Sequence, residues 1–420
     1  MDKRRIYLCI DLKTFYASVE CAERGLDTFN DNLVVADSTR GNGALCLAIT
    51  QHMKNLGIKN RCRLYEIPKN VKYIIAKPRM QLYIETSAKI YAIYLRYISS
   101  DDIHPYSIDE MFLDVTDYLH LYKKTPRQMA EFLMGRIKEE LNICATAGIG
   151  TNLFLAKVAL DIKSKHNSSN IGVLDEERFR KELWEHQPLS DFWQIAGGLE
   201  RRLNRLGIYT MKDLALYDED IIYKEFGVNA EIMIDHAKGL EPVLIKHIKS
   251  YKTKSKSISL SQVLFEDYKT EDARLVVKEM VELLTLRLTE KHIVAGGVSL
   301  FIGYSKDIVP ATGASMKLDF PANTFKTILP YFMLIFDKTI IHNVDIRRIG
   351  ISFYQILPED FEYFNLFVDS KVIKKERKLE NTILSLKNKY GKNSILKAMN
   401  LMPKATTIKR NSLIGGHNAK

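Results

Sequence analysis

The chain of 420 residues contains few cysteines and no long apolar run. Its five cysteines are scattered and none is spaced as Cys-x-x-Cys, which excludes a disulfide framework and a cysteine zinc site. No two of its ten histidines have the spacing of a metal-binding pair. Because no apolar run approaches the roughly 20 residues that cross a bilayer, and the N-terminus has no signal-peptide pattern, we expect a cytoplasmic protein with reduced thiols.

Positive charge is plentiful but unevenly placed. The net charge is +11, and residues 371–420 alone contain thirteen lysines and arginines against two glutamates, so the rest of the chain is formally neutral. A second group of lysines surrounds Tyr251: Lys246, Lys249, Lys252, Lys254 and Lys256. Such clusters favour a polyanionic partner, nucleic acid first, because lysines neutralise phosphates and release counterions. A solvated charged surface is the alternative.

Three carboxylates interrupt apolar runs of the kind that form buried strands. Asp11 follows the run 6–10, and Asp109 and Glu110 lie inside the segment 106–114. A charge placed there needs a partner, and three hard oxygen ligands suit magnesium better than zinc. The set fits a two-metal site for phosphoryl transfer. Alternatively, Asp11 is a strand-end or helix N-cap residue, and the acidic pair is the edge of a hairpin.

Further motifs occur in an order that resembles the Y-family translesion DNA polymerases, and within them the UmuC-like branch, the impB/mucB/samB family. They are Phe15-Tyr16-Ala17-Ser18-Val19-Glu20 after Asp11, Arg79-Met80-Gln81-Leu82-Tyr83, Ser107-Ile108-Asp109-Glu110, Ala147-Gly148-Ile149-Gly150-Thr151-Asn152 with Ala156-Lys157, and Leu206-Gly207-Ile208-Tyr209-Thr210. The resemblance implies a DNA-directed DNA polymerase of the DNA damage response. Such an enzyme adds nucleotides to a primer 3′-hydroxyl, releases pyrophosphate and uses two Mg2+ ions.

The resemblance also assigns the site. Asp11, Asp109 and Glu110 are the implied catalytic and metal-binding residues, with the backbone carbonyl of Leu12 as a further metal ligand. The implied nucleotide-binding residues are Phe15, Tyr16, Lys54 and Lys165.

Two of these assignments carry an open question. Tyr16 lies where the family places its steric gate, a ring packed under the sugar; without the family motif we would read it as a core aromatic residue. Lys54 stands where relatives commonly have arginine, and it can hold a triphosphate only as a point charge. Gln51 and Lys13 depart from the family pattern.

The predicted fold is α/β and α+β multidomain, a right-hand polymerase. Its parts are a ferredoxin-like palm (1–32 and 79–164), small fingers (33–78), a helical helix-hairpin-helix thumb (165–240), a basic linker (241–257), a ferredoxin-like little finger (258–356) and a basic C-terminal tail (357–420). In the palm, alternating strands and helices bring Asp11 and the acidic pair onto adjacent strands. In the little finger, the pattern predicts the element order βαββαβ.

Partners follow from the same features. Primer-template DNA and deoxyribonucleoside triphosphates are the implied substrates, and no membrane partner is indicated. The segment Tyr363-Phe364-Asn365-Leu366-Phe367 resembles a peptide that binds the replicative sliding clamp, with Leu366 and Phe367 as its apolar anchors; a buried strand is the alternative. An accessory subunit or a recombinase filament is a further implied partner.

Two other functions use some of these features. A non-catalytic DNA-binding repair scaffold would need only the basic regions, and a two-metal nuclease would share the carboxylates. Three clustered carboxylates repel one another and cost stability unless metal occupies them, which favours the catalytic interpretation over the scaffold. A nuclease needs neither Tyr16 nor a site for a triphosphate.

Overall fold

The computed structural model describes residues 4–164, 167, 169–252, 256–359 and 370–420. The chain divides into two compact units, Met1–Tyr251 with His417–Lys420 and Lys252–Gly416. Within the described ranges, no helix has both the length and the apolarity needed to cross a membrane.

The first unit contains nine strands and twelve helices among the described residues. They are β1 (Tyr7–Leu12), α1 (Phe15–Arg24), β2 (Leu33–Val35), β3 (Ala48–Ile49), α2 (Gln51–Asn55), β4 (Ile74–Ala76), α3 (Met80–Leu95), β5 (Ile103–Pro105), β6 (Glu110–Asp114), α4 (Tyr118–Leu121), α5 (Pro126–Leu141), β7 (Ala145–Gly150), α6 (Leu153–Val158), β8 (Ile171–Leu174), α7 (Glu176–Glu182), α8 (Gly197–Arg205), α9 (Met211–Leu216), α10 (Glu219–Phe226), α11 (Asn229–Ala237), α12 (Ile245–Ser250) and, near the C-terminus, β14 (His417–Asn418).

A five-stranded sheet forms the centre of this unit, in the order β5-β6-β1-β7-β8. Strand β1 lies between β6 and β7 and is antiparallel to both, so its residues are almost all buried. Strand β8 pairs with β7 in parallel. The predicted thumb, 165–240, therefore includes a strand of the palm sheet, which the sequence analysis missed.

Helix α6 lies unusually close to this sheet because β7 carries two glycines. A Cβ atom on Gly148 would stand 2.0 Å from the carbonyl oxygen of Ala156, and one on Gly150 would stand 2.2 Å from its backbone nitrogen. Neither backbone atom can move aside without displacing the helix. The two glycines therefore fix how near α6, and Lys157 on it, approaches strand β1.

The segment predicted as fingers forms a small sheet of its own, in the order β3-β2-β4. Its core is separate and includes Val34, Ile49, Met53 and the buried cysteines Cys46 and Cys62.

The segment predicted as a thumb is otherwise helical, and helices α7 to α11 enclose a common apolar core. Gly207, with φ of 80°, makes the tight turn between α8 and α9 that the sequence predicts. Part of the predicted linker is also folded, because Ile245 of α12 is buried with Tyr7, Cys9 and Phe112 of the palm.

The second unit contains β9 (Ser257–Tyr268), α13 (Thr270–Glu290), β10 (Ile293–Tyr304), β11 (Thr312–Ala322), α14 (Phe325–Thr339), β12 (Ile346–Pro358), α15 (Ser370–Tyr390), α16 (Thr407–Asn411) and β13 (Leu413–Ile414). The predicted order βαββαβ is confirmed for residues 257–358. The strands form an antiparallel sheet in the order β11-β10-β12-β9. Helices α13 and α14 share its core, and alternate residues of β9 face away from that core and are exposed.

Residues 370–416, predicted as a basic tail, are folded into this second unit. The buried carboxylate of Glu279 on α13 accepts hydrogen bonds from the backbone nitrogens of Thr406 (2.7 Å) and Thr407 (3.1 Å) and from the Thr406 hydroxyl (2.9 Å). Asn400 adds a fourth, at 3.3 Å. Because these bonds satisfy a buried charge, the C-terminal segment is part of the fold rather than an appendage.

Candidate active site

Strand pairing brings the predicted carboxylates together. Asp11 on β1 is directly opposite Glu110 on β6, and residues paired in this way have side chains on the same face of a sheet. The backbone nitrogen of Leu12 donates to the carbonyl oxygen of Asp109 at 3.0 Å, which ties the loop before β6 to the end of β1. The Ser107 hydroxyl donates to Asp109 Oδ1 at 2.6 Å and orients that carboxylate.

The electrostatics of Asp11 reflect this crowding. Burial raises the pKa of Asp11, the charges of Asp109 and Glu110 act in the same direction, and together they bring it from an ordinary value of 3.8 to about 7. This part of the sheet therefore favours the protonated form of Asp11 far more than solvent does, and a bound cation would oppose that preference.

Glu110 is held by two donors on its own side of the sheet. Its Oε2 accepts from Lys157 Nζ at 2.8 Å, and its Oε1 accepts from the thiol of Cys9 at 2.9 Å. Lys157 also donates to Asp161, at 3.1 Å. Burial alone would lower the pKa of Lys157, but Glu110 and Asp161 raise it above its ordinary value, so Lys157 is a permanent cation within the cluster.

The donor set suits a hard divalent ion better than a soft one. The charges that act on Asp11 are three further carboxylates, those of Asp109, Glu110 and Asp161, and one ammonium, that of Lys157, which leaves a net negative site. Lys157 itself pairs with Glu110 and Asp161. Carboxylate oxygens are the ligands that Mg2+ prefers, with water completing its octahedron. In the part of the chain that the structure describes, no three His, Cys, Asp or Glu side chains converge as they stand on one point. Glu110 would have to turn from Lys157 to reach an ion beside Asp11.

A buried ionic network positions Tyr16. The ring of Tyr16 stacks on Tyr83 with centroids 4.5 Å apart and an angle of 18°. The hydroxyl of Tyr83 donates to the fully buried Glu20 at 2.7 Å, and Arg79 donates to both oxygens of Glu20, at 3.0 and 2.7 Å. Burial alone would raise the pKa of Glu20, but these hydrogen bonds and one from Arg24 hold it below its ordinary value. The motif that begins at Arg79 thus fixes the platform beneath Tyr16.

Tyr16 is half-buried and close to the carboxylates. Burial raises the pKa of its hydroxyl, Asp109 adds to this and the positive charge of Arg61 opposes it. The preceding side chain, Phe15, is only 3% exposed and belongs to the core. Lys54 lies on α2, an element separate from the carboxylate-bearing strands. Lys165 and the pair Leu366 and Phe367 lie outside the described residues.

The sequence analysis assigned no role to Lys157 or Arg61. Lys157 belongs to one of the resembling motifs, but its partner Glu110 is 47 residues away and only the fold joins them. Arg61 follows Asn60 in a turn, with φ of 60°, and no spacing in the sequence distinguishes it from other surface arginines.

Comparisons with known proteins agree with this geometry. Residues 10–161 match the impB/mucB/samB family, and residues 255–366 match the impB/mucB/samB family C-terminal domain. The chain is similar to UvrX of Bacillus subtilis (strain 168), with 33% identity over 99% of this chain and 98% of that protein. It is also similar to DNA polymerase IV 2 of the same organism, with 30% identity over 99% of this chain and all of the relative.

A solved structure shares the fold. A Y-family DNA polymerase chimera of Dbh and Dpo4 superposes with a TM-score of 0.62 and 19% identity, over 84% of this chain and 99% of that one. Both family matches lie on the two folded units described above, and the full-length relatives match nearly end to end. The chain therefore belongs to the impB/mucB/samB family and has the fold of a Y-family DNA polymerase.

Proposed function

We propose that this chain is a template-directed translesion DNA polymerase that uses Asp11, Asp109 and Glu110 to hold two Mg2+ ions. The observation that carries the proposal is the pairing of Asp11 with Glu110 beside Asp109, which creates a site whose negative charge is uncompensated by the protein's own lysine. Family membership and the polymerase fold support it.

The protein's own residues supply position and charge. When bound, the two ions would lower the pKa of the primer 3′-hydroxyl and neutralise the triphosphate, as in other two-metal phosphoryl transfer sites. Asp11 and Asp109, on adjoining segments joined by the Leu12 backbone, would hold them. Lys157 would keep the Glu110 carboxylate oriented until a metal ion binds that carboxylate.

The nucleotide would lie over the start of α1. The first residues of an α-helix have backbone N–H groups without intrahelical acceptors, and these groups bind phosphate oxygens. Tyr16, in the first turn of α1, is held against Tyr83 and can therefore act as a rigid wall under the sugar. Lys54, Lys165 and Arg61 are the cations we assign to the triphosphate.

Primer-template DNA would contact basic and open surfaces. Lys374, Lys375 and Lys378 lie on α15 with exposed side chains, and the face of the second sheet away from α13 and α14 is open. Lysines on such surfaces bind DNA by neutralising phosphates. We further propose that Leu366 and Phe367 bind the sliding clamp. An accessory subunit or a recombinase filament would assist synthesis. We place the polymerase in the cytoplasm, where DNA and triphosphates are available.

Primer extension tests the proposal. We expect the wild-type chain to extend a primer on undamaged and abasic templates with Mg2+, and Asp109→Asn to abolish extension while DNA binding persists. Asp101→Asn, which removes an exposed aspartate outside the cluster, is the matched control and should remain active.

Three outcomes would contradict the proposal. Lack of extension by the wild type would favour a repair scaffold. Shortening of the primer without added triphosphates would favour a nuclease. Full activity of Asp109→Asn would remove the assigned metal site.

A further inference from the structure

A cavity of about 490 Å3 lies in the first unit, beside the strands that carry the carboxylates but apart from the carboxylates themselves. Its lining includes Phe112 of β6, His104 of β5, Tyr106, Trp193 and His236. The proposed polymerase chemistry uses none of these side chains. Cavities of this size, lined mainly by aliphatic and aromatic side chains with a few polar groups, are typical of sites for small ligands.

The aromatic walls are fixed against one another. The Trp193 indole nitrogen donates to the Tyr106 hydroxyl at 3.0 Å, and the two rings meet edge to face with centroids 5.9 Å apart. Trp193 and His236 lie nearly parallel, at 18° and 5.9 Å. Phe154 stacks on His236 at 4.1 Å. A ligand would therefore meet preformed aromatic surfaces, which saves the cost of ordering them.

The lining also includes three acidic residues. The side chain of Glu241 is 7% exposed and pairs with His236 at 3.0 Å. Glu231 and Asp235 are one turn apart on α11, and in the described part of the chain no hydrogen bond or ion pair involves either side chain. Like charges four residues apart destabilise a helix. Glu231 is exposed and Asp235 is partly exposed, so the cavity presents two carboxylates with which a cation entering from solvent would pair.

Exposed apolar residues also line the cavity. Ile232, from the same helix, is 46% exposed and Val243 is 40% exposed, and both line the cavity. The faces of aromatic rings attract cations. Apolar side chains next to them would bury the hydrocarbon part of a ligand that carries such a cation.

We propose that this cavity binds an organic cation carried on an apolar stem, an ammonium or guanidinium group held by Glu231 and Asp235 against Trp193 and Tyr106. The inference goes beyond the proposed polymerase function and does not depend on it. The same chemistry has two sources, a free organic amine or the side chain of a lysine or arginine in a partner protein.

The fluorescence of Trp193 offers a direct assay, because the chain has only two tryptophans. In the full-length Trp184→Phe variant, Trp193 is the sole indole. We expect benzamidine to change its emission saturably, and benzamide, the uncharged counterpart, to bind at least tenfold more weakly. Calorimetric titration of the unsubstituted chain with benzamidine gives the same comparison without a tryptophan substitution.

Matched variants test the carboxylates. Glu231→Gln with Asp235→Asn should weaken benzamidine binding at least tenfold. Glu177→Gln with Asp220→Asn removes two acidic residues from other helices and should leave binding unchanged. The proposal is overturned if benzamidine gives no saturable signal, if benzamide binds equally well, or if the Glu231 and Asp235 variant binds like the wild type.

A second arm identifies the source of the cation. Acetyl-Ala-Arg-Ala-amide and its citrulline counterpart are tested as competitors of benzamidine. Displacement by the arginine peptide alone supports a basic side chain of a partner protein. Failure of both peptides, with benzamidine still bound, supports a free amine.

Discussion

Replacing Asp11 with asparagine should stabilise the protein while abolishing its activity. Because the pKa of Asp11 is raised to about 7 from 3.8, the folded state binds a proton that the unfolded chain releases between those two values. Stability therefore falls as pH rises from about 4 to 7, and the loss is complete above 7. Asparagine has no charge to lose, so Asp11→Asn avoids this cost.

The size of the effect follows from the shift. Three pKa units at about 1.4 kcal/mol each give an upper limit of ~4 kcal/mol. Solvent still reaches part of Asp11 and screens its neighbours, so we expect a gain of ~2 kcal/mol at pH 8. The gain should be roughly halved at pH 5.5, where the folded state retains most of the proton.

Urea unfolding at pH 8 and pH 5.5, in buffer free of divalent ions, measures both gains. Adding Mg2+ should stabilise the wild type, since an ion that binds only the folded state shifts unfolding by mass action, and should stabilise Asp11→Asn much less. Asp114→Asn is the control, because Asp114 is a buried carboxylate on the neighbouring strand that already has a partner, Arg5, at 2.6 Å. That substitution should destabilise at both pH values. A loss of stability in Asp11→Asn at pH 8, or a gain that does not change with pH, would refute the electrostatic account of the site.

Three further predictions concern other residues. Tyr16→Ala should lower the ratio of deoxyribonucleotide to ribonucleotide incorporation, whereas Tyr16→Phe keeps the ring and should preserve it; an unchanged ratio in Tyr16→Ala would return Tyr16 to the core. Lys157→Met leaves the buried Glu110 without its cation and should cost ~3 kcal/mol or more at pH 8, measured by urea unfolding, whereas a neutral effect would mean that the pair is not buried in solution. Leu366→Ala with Phe367→Ala should remove stimulation by the sliding clamp, at ~2 kcal/mol per anchor, and leave basal primer extension intact; a fall in basal extension would assign both residues to the fold.

Local sequence signals predicted the elements of the fold well. Helix α5 begins at Pro126 after a Thr125 cap whose hydroxyl accepts from the backbone nitrogen of Gln128, so its start is set by residues next to one another in the sequence. The βαββαβ order of the second unit followed from alternating and helical patterns along the chain. These features depend on neighbouring residues, which is why a single sequence contains them.

Features that depend on distant partners were not predictable in the same way. Strand β8 has four residues and joins the palm sheet only by pairing with β7, so its sequence did not separate it from the helical region that follows. The C-terminal segment was predicted to be a basic tail because lysines and arginines far outnumber acidic residues in it. Its anchor, the carboxylate of Glu279, is 127 residues from Thr406 and could be found only in the fold.

The motifs outside the carboxylates have a common physical role, which is to place side chains rather than to react. Gly148 and Gly150 permit α6 to approach the sheet closely enough for Lys157 to reach Glu110. Arg79 and Tyr83 bind Glu20 from the other side of α1 and so hold the surface on which Tyr16 rests. Each motif therefore controls one boundary of the proposed nucleotide site. The glycine motif places the charge of Lys157 beside the proposed metal ligands, and the Arg79 motif places the ring of Tyr16 beside the sugar. Substitutions in either motif should alter the site without touching the carboxylates. Gly148→Ala should force α6, and Lys157 with it, away from the sheet. Arg79→Ala should remove a partner of Glu20 and so loosen Tyr83, on which Tyr16 stacks.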